Sequence, residues 1–353
     1  MPNKKTILVA PLHWGLGHAS RCIPIIRDLL KNDYDVIIAS DGEALLFLKK
    51  EFPKLDSIEL PSYDIRYSNK SWDFKWSIIK RFPNLIKAIK QERDIVERLV
   101  LNNRINGVIS DNRFGVYSSK IPSIYITHQL NVLSGSTTFL SSKKHRKMIK
   151  NFDECWVPDH EGINNLSGRL SHDIKDNLNI KYIGPLSRMK QEEYEKKYDI
   201  LFILSGPEPQ REYLEEIIIK EFADKPVNSI LVRGVIENGQ TQHKIGNIKI
   251  VNYLLSSKLE KMINMSELIV SRSGYSTIMD LAVMGKKAFF IPTPGQYEQE
   301  YLAKRMKTLG IAPSCRQKNF SYEKLKEVSL YTGFKIIETN NDFKELYSLF
   351  ECE

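Results

Sequence analysis

The stretch PLHWGLGHASR, residues 11–21, places two histidines on either side of two glycines, where an apolar run gives way to a helical pattern. Glycine at a strand-to-helix turn lets the backbone approach another molecule closely, and the first N–H groups of the next helix have no partner within it. Gly15 and Gly17 match half of a dinucleotide-binding fingerprint, but Ser20 stands where the third glycine would be. The stretch predicts either a ligand-binding loop or a tight turn with a polar cap.

A second stretch, residues 271–306, has the residue types of a nucleotide site. Ser273 and Gly274 stand between a predicted strand and a predicted helix, so N–H groups and the Ser273 and Thr277 hydroxyls could converge on a phosphate. Asp280 follows about two helical turns later, where a carboxylate suits the hydroxyls of a ribose. The bland alternative is a serine cap with a solvated aspartate. Side chains that suit sugar hydroxyls, or merely the helix dipole, begin the next helix: Gln296, Glu298, Gln299 and Glu300.

The composition limits the classes of protein that remain. With 353 residues, 42% of them apolar and 27% charged, the chain is long enough for two globular domains. Apolar runs stay short of the roughly 20 residues that span a bilayer, and there is no signal-peptide pattern, so we expect a cytoplasmic location. The net charge of +9 favours an anionic partner: nucleic acid, a membrane face or a phosphorylated substrate. Four scattered cysteines indicate a reducing compartment and no structural zinc: Cys22, Cys155, Cys315 and Cys352.

Strand-like and helix-like segments alternate along the chain. The strand-like segments are short, apolar and without clean alternation, as expected for parallel strands covered on both faces. They are residues 6–12, 35–40, 57–60, 107–111, 123–127 and 154–157, then 200–204, 229–233, 249–252, 268–271 and 288–291. Helical patterns include residues 18–31, 74–100 and a short terminal segment at 342–350. The sequence therefore predicts an α/β fold with two doubly wound, Rossmann-like domains facing a cleft.

The alternation of strand-like and helix-like segments resumes after a charged, helix-like spacer, residues 191–198. We expect an N-terminal domain at residues 1–187, with a C-terminal helix at about 340–353 packing back on it, and a second domain at 188–339. In such folds ligands bind at the carboxyl ends of the strands. Polar loops follow six of these strands: residues 13–18, 110–113, 127–131, 205–211, 271–277 and 292–300.

The pattern SRSG-x-x-T-x-x-D after a strand, followed by Gly285, Pro292 and a Gln/Glu-rich helix start, resembles the nucleotide-sugar half of GT-B glycosyltransferases. It is most similar to the branch containing the bacterial peptidoglycan UDP-N-acetylglucosaminyltransferase and plant monogalactosyldiacylglycerol synthase. WGLGH, THQLN and GPLSR resemble further motifs of that branch, so the resemblance covers most of the chain.

The resemblance implies an acceptor-binding first domain and a nucleotide-sugar-binding second domain. The residues implied to hold a UDP-sugar donor are, for the diphosphate, Ser273, Gly274 and Thr277, helped by Arg188, Ser205 and Gly206; for the ribose, Asp280; for the uracil, the main chain near Tyr253 and Leu254; and for the sugar, Gln299 and Glu300. Arg272 and Gln296 are further candidates for donor binding. The loop at Gly15 and Gly17 would close over the diphosphate and the acceptor.

Transfer of a sugar with inversion needs a base for the acceptor hydroxyl and stabilisation of the leaving UDP. Enzymes of this type supply the latter with a helix dipole and side chains, so the resemblance implies no bound metal and no cofactor besides the UDP-sugar substrate. The candidate bases are His18, Asp111 and His128, in that order. Asp111 has a structural alternative, as a strand-end carboxylate bonded to Asn112 or Arg113.

Departures from the family pattern keep other functions open. Gln129 replaces an acidic residue, Pro207 interrupts a glycine-rich turn, Asp280 stands for Glu, and Glu300 replaces a Gln, so the identity of the sugar is not fixed. A UDP-sugar epimerase on the same fold and a non-catalytic donor-binding subunit are the alternatives. The charge alone would also allow nucleic-acid binding, but no recognised motif supports it.

Residues 63–93 combine Tyr, Trp and Phe with many Lys and Arg. Such a segment suits peripheral contact with an anionic membrane, here the inner face, and would fit an acceptor on a lipid or a cell-envelope glycan precursor. The alternative is a core-facing helix with a solvated basic side.

Overall fold

A computed structural model describes residues 4–63, 71–174, 176–206, 208–337 and 343–351, with side chains described for all of these except 71–82 and 136. The chain forms two compact units. Described residues of unit 1 fall within Met1–Ser68, Trp72–Leu186 and Thr339–Glu353, and those of unit 2 within Asn69–Ser71 and Ser187–Glu338. The main division lies between Leu186 and Ser187, one residue before the boundary expected from the sequence.

Unit 1 is built on a seven-stranded sheet in which all neighbouring strands are parallel. The strands are β1 (Thr6–Pro11), β2 (Asp35–Ser40), β3 (Asp56–Glu59), β4 (Gly107–Asp111), β5 (Ser123–Ile126), β6 (Glu154–Val157) and β7 (Ile180–Tyr182). Their order in the sheet is β3-β2-β1-β4-β5-β6-β7. Every residue of β4, β5 and β6 is buried, which explains why these segments lack an alternating pattern.

Four helices of unit 1 connect these strands: α1 (Gly17–Lys31), α2 (Gly42–Glu51), α3 (Ser71–Leu101) and α4 (Thr138–Ile149). The described part of α3 faces the core, since Ala88 and Val96 are buried against β-sheet residues and Tyr63. For residues 83–93 the structure thus agrees with the core-facing alternative. Residues 64–70, and the side chains of 71–82, lie outside the described part of the segment considered for membrane contact.

Unit 2 has a six-stranded sheet in the order β10-β11-β9-β8-β12-β13. Its strands are β8 (Tyr198–Ile203), β9 (Ser229–Val232), β10 (Gln242–Ile245), β11 (Ile248–Val251), β12 (Ser266–Ser271) and β13 (Lys287–Phe290). Only the hairpin of β10 and β11 is antiparallel among these pairs. The helices are α5 (Gln210–Phe222), α6 (Ser256–Asn264), α7 (Tyr275–Val283) and α8 (Tyr297–Thr308). The central strands pack on buried Leu214, Ile218 and Phe222 of α5.

The C-terminal segment packs on unit 1. A 3₁₀ turn at Lys344–Tyr347 leads into a short helix, α9 (Ser348–Glu351), instead of the single helix expected at 342–350, of which residue 342 is outside the described residues. The Tyr347 ring lies 5.5 Å from that of Tyr34, and Lys5 Nζ donates to the Phe350 carbonyl at 2.7 Å.

The helix-like interpretation of the spacer at 191–198 was wrong. Residues 191–197 form no helix, and Tyr198 already belongs to β8. The backbone N–H groups of Lys190 and Glu192 bind the side chains of Glu260 and Asn264 instead, so contacts with α6 override local helix propensity. The sequence analysis also missed α2, the three-residue strand β7, and β10, whose four residues are all exposed.

Both sheets change the direction of their connections next to their first strand. In unit 1, β2 and β3 lie on one side of β1 and β4 on the other; in unit 2, β9 lies on one side of β8 and β12 on the other. The loops at the carboxyl ends of such neighbours diverge and leave a crevice, which is where open α/β sheets bind ligands. The crevices of interest are therefore those at β1/β4 and β8/β12.

Candidate functional site

The β1/β4 crevice of unit 1 holds a cluster of charged side chains. His18, in the first turn of α1, has its Nδ1 atom 2.8 Å from Asp111 Oδ1 at the end of β4. Arg21, one helical turn later, donates from Nε and Nη2 to the two oxygens of the same carboxylate. Asp111 has no exposed surface and Arg21 is 2% exposed, so their ion pair is withdrawn from water. Two of the three candidate bases are therefore in direct contact.

The charges around Asp111 determine where the protons lie. Burial acts to raise the pKa of Asp111, but Arg21 and His18 outweigh it and hold that pKa below its ordinary value. Asp111 is thus an anion that only accepts hydrogen bonds, which favours a proton on Nδ1 of His18, whereas Arg21 Nη2, 2.9 Å from the same nitrogen, can only donate and favours a lone pair there. With the proton on Nδ1, the lone pair of Nε2 is the proton acceptor of the ring.

His128, the third candidate base, contacts the same arginine. Arg21 Nη1 lies 2.7 Å from His128 Nδ1. A guanidinium only donates, so Nδ1 of His128 must accept and the proton of the neutral ring lies on Nε2. The lone pair of this imidazole is engaged. Arg21 Nη2 lies 2.9 Å from His18 Nδ1 as well, so exposure is what separates the candidates: His18 is half-buried, whereas His128 is 6% exposed and Asp111 has no exposed surface, which favours His18.

A second ionic cluster, not identified from the sequence, lies at the same edge of the sheet. His13 Nδ1 is 3.3 Å from Asp41 Oδ2. Arg113, fully buried, donates to the other oxygen of Asp41 and, at 2.6 Å, to Glu92 Oε1 in α3. Tyr63 donates its hydroxyl to Glu92 Oε2 at 2.7 Å. The cluster joins α3 to the ends of β1, β2 and β4. The signal in the sequence was that His13 and Asp41 each follow a strand closely.

Two glycines shape this edge of the sheet. Gly15 has φ +75°, in the left-handed region that favours glycine. Gly42 has φ +52°, and a Cβ atom there would lie 2.3 Å from Cε1 of His13, so only glycine lets that ring pack on the start of α2. Gly17 begins α1, and its carbonyl accepts the Ser20 hydroxyl at 2.9 Å. The turn itself is tight, and the donor contact expected for Gly15 and Gly17 stays a prediction.

The β8/β12 crevice of unit 2 is formed by two short polar turns. Ser205 and Gly206 follow β8, and Ser273 and Gly274 follow β12 directly before α7. Gly206 has φ +93°, and a Cβ there would lie 3.8 Å from Thr293 Oγ1. Thr293 is 1% exposed, and its Oγ1 has no hydrogen-bond partner among the residues that the structure describes. A buried hydroxyl without a partner is costly, so Thr293 is a ligand-contact candidate that the sequence analysis missed.

The loop before α8 is held by the side chains expected to bind the donor sugar. Gln299 Oε1 accepts the Thr293 N–H at 2.8 Å, and Glu300 Oε1 accepts the Gly295 N–H at 3.2 Å. Ser273 donates its hydroxyl to the Gln299 carbonyl at 2.8 Å. These bonds fix the loop against the start of α7. Of the other predicted residues, Gln296 is the N-cap residue of α8 and Thr277 lies half-buried in the first turn of α7.

Asp280 lies on α7, next to Ser187, where the main segment of unit 2 begins. Its Oδ1 atom accepts the Ser187 hydroxyl at 2.6 Å. Burial raises the pKa of Asp280 to about 6, with the guanidinium of Arg188 acting in the opposite direction. Arg188 Nη1 also donates to the Ser256 hydroxyl at 3.2 Å. Asp280 and Arg188, predicted separately from the sequence, therefore act on one another.

Arg272 has a structural role that the sequence analysis did not foresee. Its guanidinium is 1% exposed and donates to the carbonyls of Ile291 and Gln210 and to the side chain of Gln317. Burial lowers its pKa to about 10. Both terminal nitrogens bind loops of unit 2, while Nε has no hydrogen-bond partner among the described residues, and the donor contact expected for Arg272 stays a prediction.

The segment after β11 has an ordered main chain. Tyr253 is 7% exposed, its N–H donates to Asn252 Oδ1 at 3.0 Å, and its carbonyl accepts from Gln240 Nε2 at 3.1 Å. Leu254 follows it, half-buried. The expected contact with uracil stays a prediction. Pro207 lies outside the described residues, and Gln129 donates its N–H to the Thr127 hydroxyl at 3.1 Å.

Two further findings concern metals and membranes. Within the described ranges, no group of three or more His, Cys, Asp or Glu side chains could hold a metal ion. No described helix combines the length and the apolar character needed to cross a bilayer.

Each unit is a Rossmann-like domain with a polar crevice at its topological switch point, which is the fold class predicted from the sequence. Comparison with known proteins shows which family has this fold. Residues 211–339 match the glycosyltransferase family 28 C-terminal domain. The chain is similar to an uncharacterized glycosyltransferase of Methanosarcina mazei, with 23% identity over 81% of this chain and 79% of the relative. It is also similar to the UDP-N-acetylglucosamine--N-acetylmuramyl-(pentapeptide) pyrophosphoryl-undecaprenol N-acetylglucosamine transferase of Haemophilus ducreyi, with 19% identity over 88% and 85% of the two chains.

Solved structures show the same fold. MurG of Acinetobacter baumannii superposes with a TM-score of 0.56 and 14% identity, covering 99% of each chain. The glycosyltransferase SsfS6 of Streptomyces sp. SF2575, complexed with thymidine diphosphate, superposes with a TM-score of 0.60 and 12% identity over 98% and 99% of the chains. The chain is a GT-B glycosyltransferase related to the branch of the peptidoglycan N-acetylglucosaminyltransferase, which confirms the resemblance seen in the sequence.

Proposed function

We propose that this glycosyltransferase moves a sugar from a UDP-sugar to an acceptor hydroxyl, with inversion at the anomeric carbon and without a bound metal. The observation that carries the proposal is the contact between His18 and the buried Asp111 in the β1/β4 crevice. Inversion in one displacement needs a single base on the acceptor side, and His18 with its proton on Nδ1 would be that base.

In the proposed step the acceptor hydroxyl gives its proton to Nε2 of His18. Its oxygen forms a bond to the anomeric carbon while the bond from that carbon to the UDP oxygen breaks, and the electron pair leaves with UDP. Asp111 stabilises the imidazolium that results, and Arg21 holds the carboxylate in place. The proposed acceptor is a lipid or a cell-envelope glycan precursor.

The donor is proposed to bind in the β8/β12 crevice of unit 2. The N–H groups that begin α7, and the helix dipole behind them, suit a diphosphate, and Thr293 offers a buried hydroxyl beside Gly206. Asp280 would bind the ribose, while Gln299 and Glu300 would bind the sugar through atoms not engaged with the loop. The UDP-N-acetylglucosamine in the name of the Haemophilus ducreyi relative supports a UDP-sugar, and the thymidine diphosphate bound to SsfS6 supports a nucleoside diphosphate. Release of UDP from a UDP-sugar in the presence of EDTA tests the proposal.

We propose that α4 gives the protein peripheral contact with an anionic membrane on its cytoplasmic side. Phe139 is 72% exposed and Leu140 is 62% exposed, both in the first turn of α4. Lys143 and Lys147 follow Phe139 at four-residue intervals, are exposed, and form no ion pair with any described residue. An apolar pair backed by cations on one helix face suits insertion among anionic headgroups.

Cosedimentation with vesicles tests this surface. The double substitution Phe139→Ser and Leu140→Ser should abolish binding to vesicles containing phosphatidylglycerol, since it removes the apolar area and leaves the charge unchanged. Leu330→Ser is the matched control, because Leu330 is 80% exposed in unit 2. Equal binding of the double variant and the wild type would place the contact elsewhere.

A further inference from the structure

Unit 2 contains a cavity of about 680 Å³ behind the loop that precedes α8. Four cations line it: Lys304 and Lys307, one turn apart on α8, and Arg316 and Lys318, on the segment after β13. All four are exposed, and none forms an ion pair with another residue in the described part of the chain. The carboxylate of Glu300 also lines the cavity, and one of its oxygens accepts the Gly295 N–H. The cavity therefore carries a net charge of about +3 from these five side chains.

The wall that carries Arg316 and Lys318 is fixed to the sheet. Phe290, the last residue of β13, donates its N–H to the Pro313 carbonyl at 3.0 Å and accepts the Cys315 N–H at 3.2 Å. Gln317, between the two cations, is 7% exposed and accepts from the buried Arg272 at 2.7 Å. Both cations thus project from a segment whose backbone is held in place by buried bonds, so that backbone needs no further ordering when an anion binds.

We infer that this cavity is a second anion site that binds a phosphate-bearing ligand. A monovalent carboxylate would leave most of the charge unbalanced, whereas a phosphate or a diphosphate matches it and accepts several charge-assisted hydrogen bonds. The volume lies within the range of small-molecule pockets and far exceeds that of a single ion, so the phosphate belongs to a larger molecule. The cavity shares Glu300 and the loop before α8 with the proposed donor site, whereas its four cations lie on α8 and on the segment after β13 and not on the turns after β8 and β12.

Calorimetry with inorganic pyrophosphate, in the presence and absence of saturating UDP, tests the site on the full chain. The variant Lys304→Gln/Lys307→Gln should weaken pyrophosphate binding by roughly tenfold or more, since each charge-assisted bond is among the strong ones. Lys244→Gln/Lys335→Gln is the charge-matched control, as both lysines are exposed in unit 2 and line no part of this cavity. The control should bind as the wild type does, and UDP should leave the cavity binding in place.

A parallel measurement distinguishes the source of the phosphate. Binding to vesicles of phosphatidylcholine with phosphatidic acid, lost in the cavity variant and kept in the control, would assign a lipid headgroup; binding of free pyrophosphate alone would assign a soluble ligand. Equal loss in both double variants, complete displacement of pyrophosphate by UDP, or no binding of either probe would overturn the inference. The comparison of the two double variants does not depend on UDP binding, so a failure of the proposed donor site, seen as no UDP binding to the wild type, is distinguished from a failure of this inference.

Discussion

Arg21 supports the contact between His18 and Asp111. It lies three residues after His18, on the same face of α1. Burial alone would favour the neutral form of the Asp111 carboxylate. The neighbouring Arg21 and His18 outweigh that effect and keep the carboxylate ionised. In the proposed mechanism the inner nitrogen of His18 carries the proton, bound to Asp111, and the outer nitrogen carries the lone pair. Arg21 contacts Nδ1 of both histidines, at 2.9 Å for His18 and 2.7 Å for His128, so the greater exposure of His18 distinguishes them.

We predict that His18→Ala lowers the turnover of sugar transfer by about 10²–10⁴-fold, the usual range for loss of a general base. UDP affinity should stay within about twofold, because the donor residues belong to unit 2. His18→Gln keeps a hydrogen-bonding side chain without basicity, so it should be as inactive as His18→Ala. His243→Ala, on the exposed strand β10, is the control. Activity restored by glutamine would show that His18 organises the site and is not its base.

The proposed contact of Asp280 with the ribose predicts that donor binding depends on pH. Since burial raises its pKa to about 6, it is mostly neutral below pH 6 and becomes a stronger acceptor for ribose hydroxyls above it. We predict that UDP affinity rises between about pH 5 and pH 7, and that Asp280→Asn weakens binding at pH 7.5 by roughly 1–3 kcal/mol. The nucleotide itself ionises in this range, so the two proteins are compared by calorimetry on the same nucleotide. Superimposable pH profiles would exclude Asp280 from the ribose.

At the scale of elements, the ionic cluster of Arg113 fixes α3 against the sheet of unit 1. Both carboxylates that it binds, Asp41 and Glu92, are buried. Removing the cation leaves two buried carboxylates without their main partner, which is far costlier than losing an exposed ion pair.

We predict that Arg113→Met lowers the free energy of unfolding of unit 1 by roughly 3–5 kcal/mol. Arg104→Met should cost less than about 1 kcal/mol, because Arg104 is half-exposed and lies 3.8 Å from an exposed aspartate. Urea unfolding followed by tryptophan fluorescence measures unit 1 selectively, since all four tryptophans precede residue 187. Similar costs for the two variants would mean that the cluster contributes nothing beyond a surface pair.

The elements show how far a sequence can predict this fold. Largely buried strands such as β1, β4 and β12 can be recognised in the sequence as apolar runs. Their alternation with helices predicts the doubly wound architecture. The edge strand β10 could not be found that way, because its four residues are exposed and its strand character comes from pairing with β11. The helix predicted for the spacer at 191–198 was wrong for a related reason, since the backbone there binds side chains that are about 70 residues distant.

The candidate site was predictable to the same degree. Parallel strands bring their carboxyl ends together, so the proximity of His18 and Asp111 follows from two motifs almost a hundred residues apart. The roles of Arg21 and Arg272 did not follow, since an arginine on a helix or in a loop is usually a solvated residue. Their acceptors come from elsewhere in the fold, and only packing reveals them. The sequence did not indicate that Thr293 could contact a ligand, because the prolines on either side of it made its loop resemble an ordinary turn.

At the scale of the molecule, the chain's positive charge is distributed over surfaces with different proposed partners. The cations of α4 in unit 1 accompany exposed apolar residues and suit a lipid surface, whereas the cations of the unit 2 cavity accompany no exposed aromatic residue and suit a phosphate. The proposed donor crevice would use backbone N–H groups and hydroxyls rather than these lysines. An excess of nine positive charges is thus consistent with an enzyme whose proposed partners are anionic.

The central claim is metal-independent transfer from a UDP-sugar, and release of UDP measures it most directly. The purified chain is incubated in EDTA with a panel of UDP-sugars and a bacterial lipid extract as the source of acceptor hydroxyls, and UDP is quantified by a coupled assay. We predict that at least one UDP-sugar yields UDP, that added divalent metal changes the rate by less than about twofold, and that His18→Gln abolishes release while still binding UDP. Release that requires a divalent metal, or that continues at the wild-type rate in His18→Gln, would contradict the account.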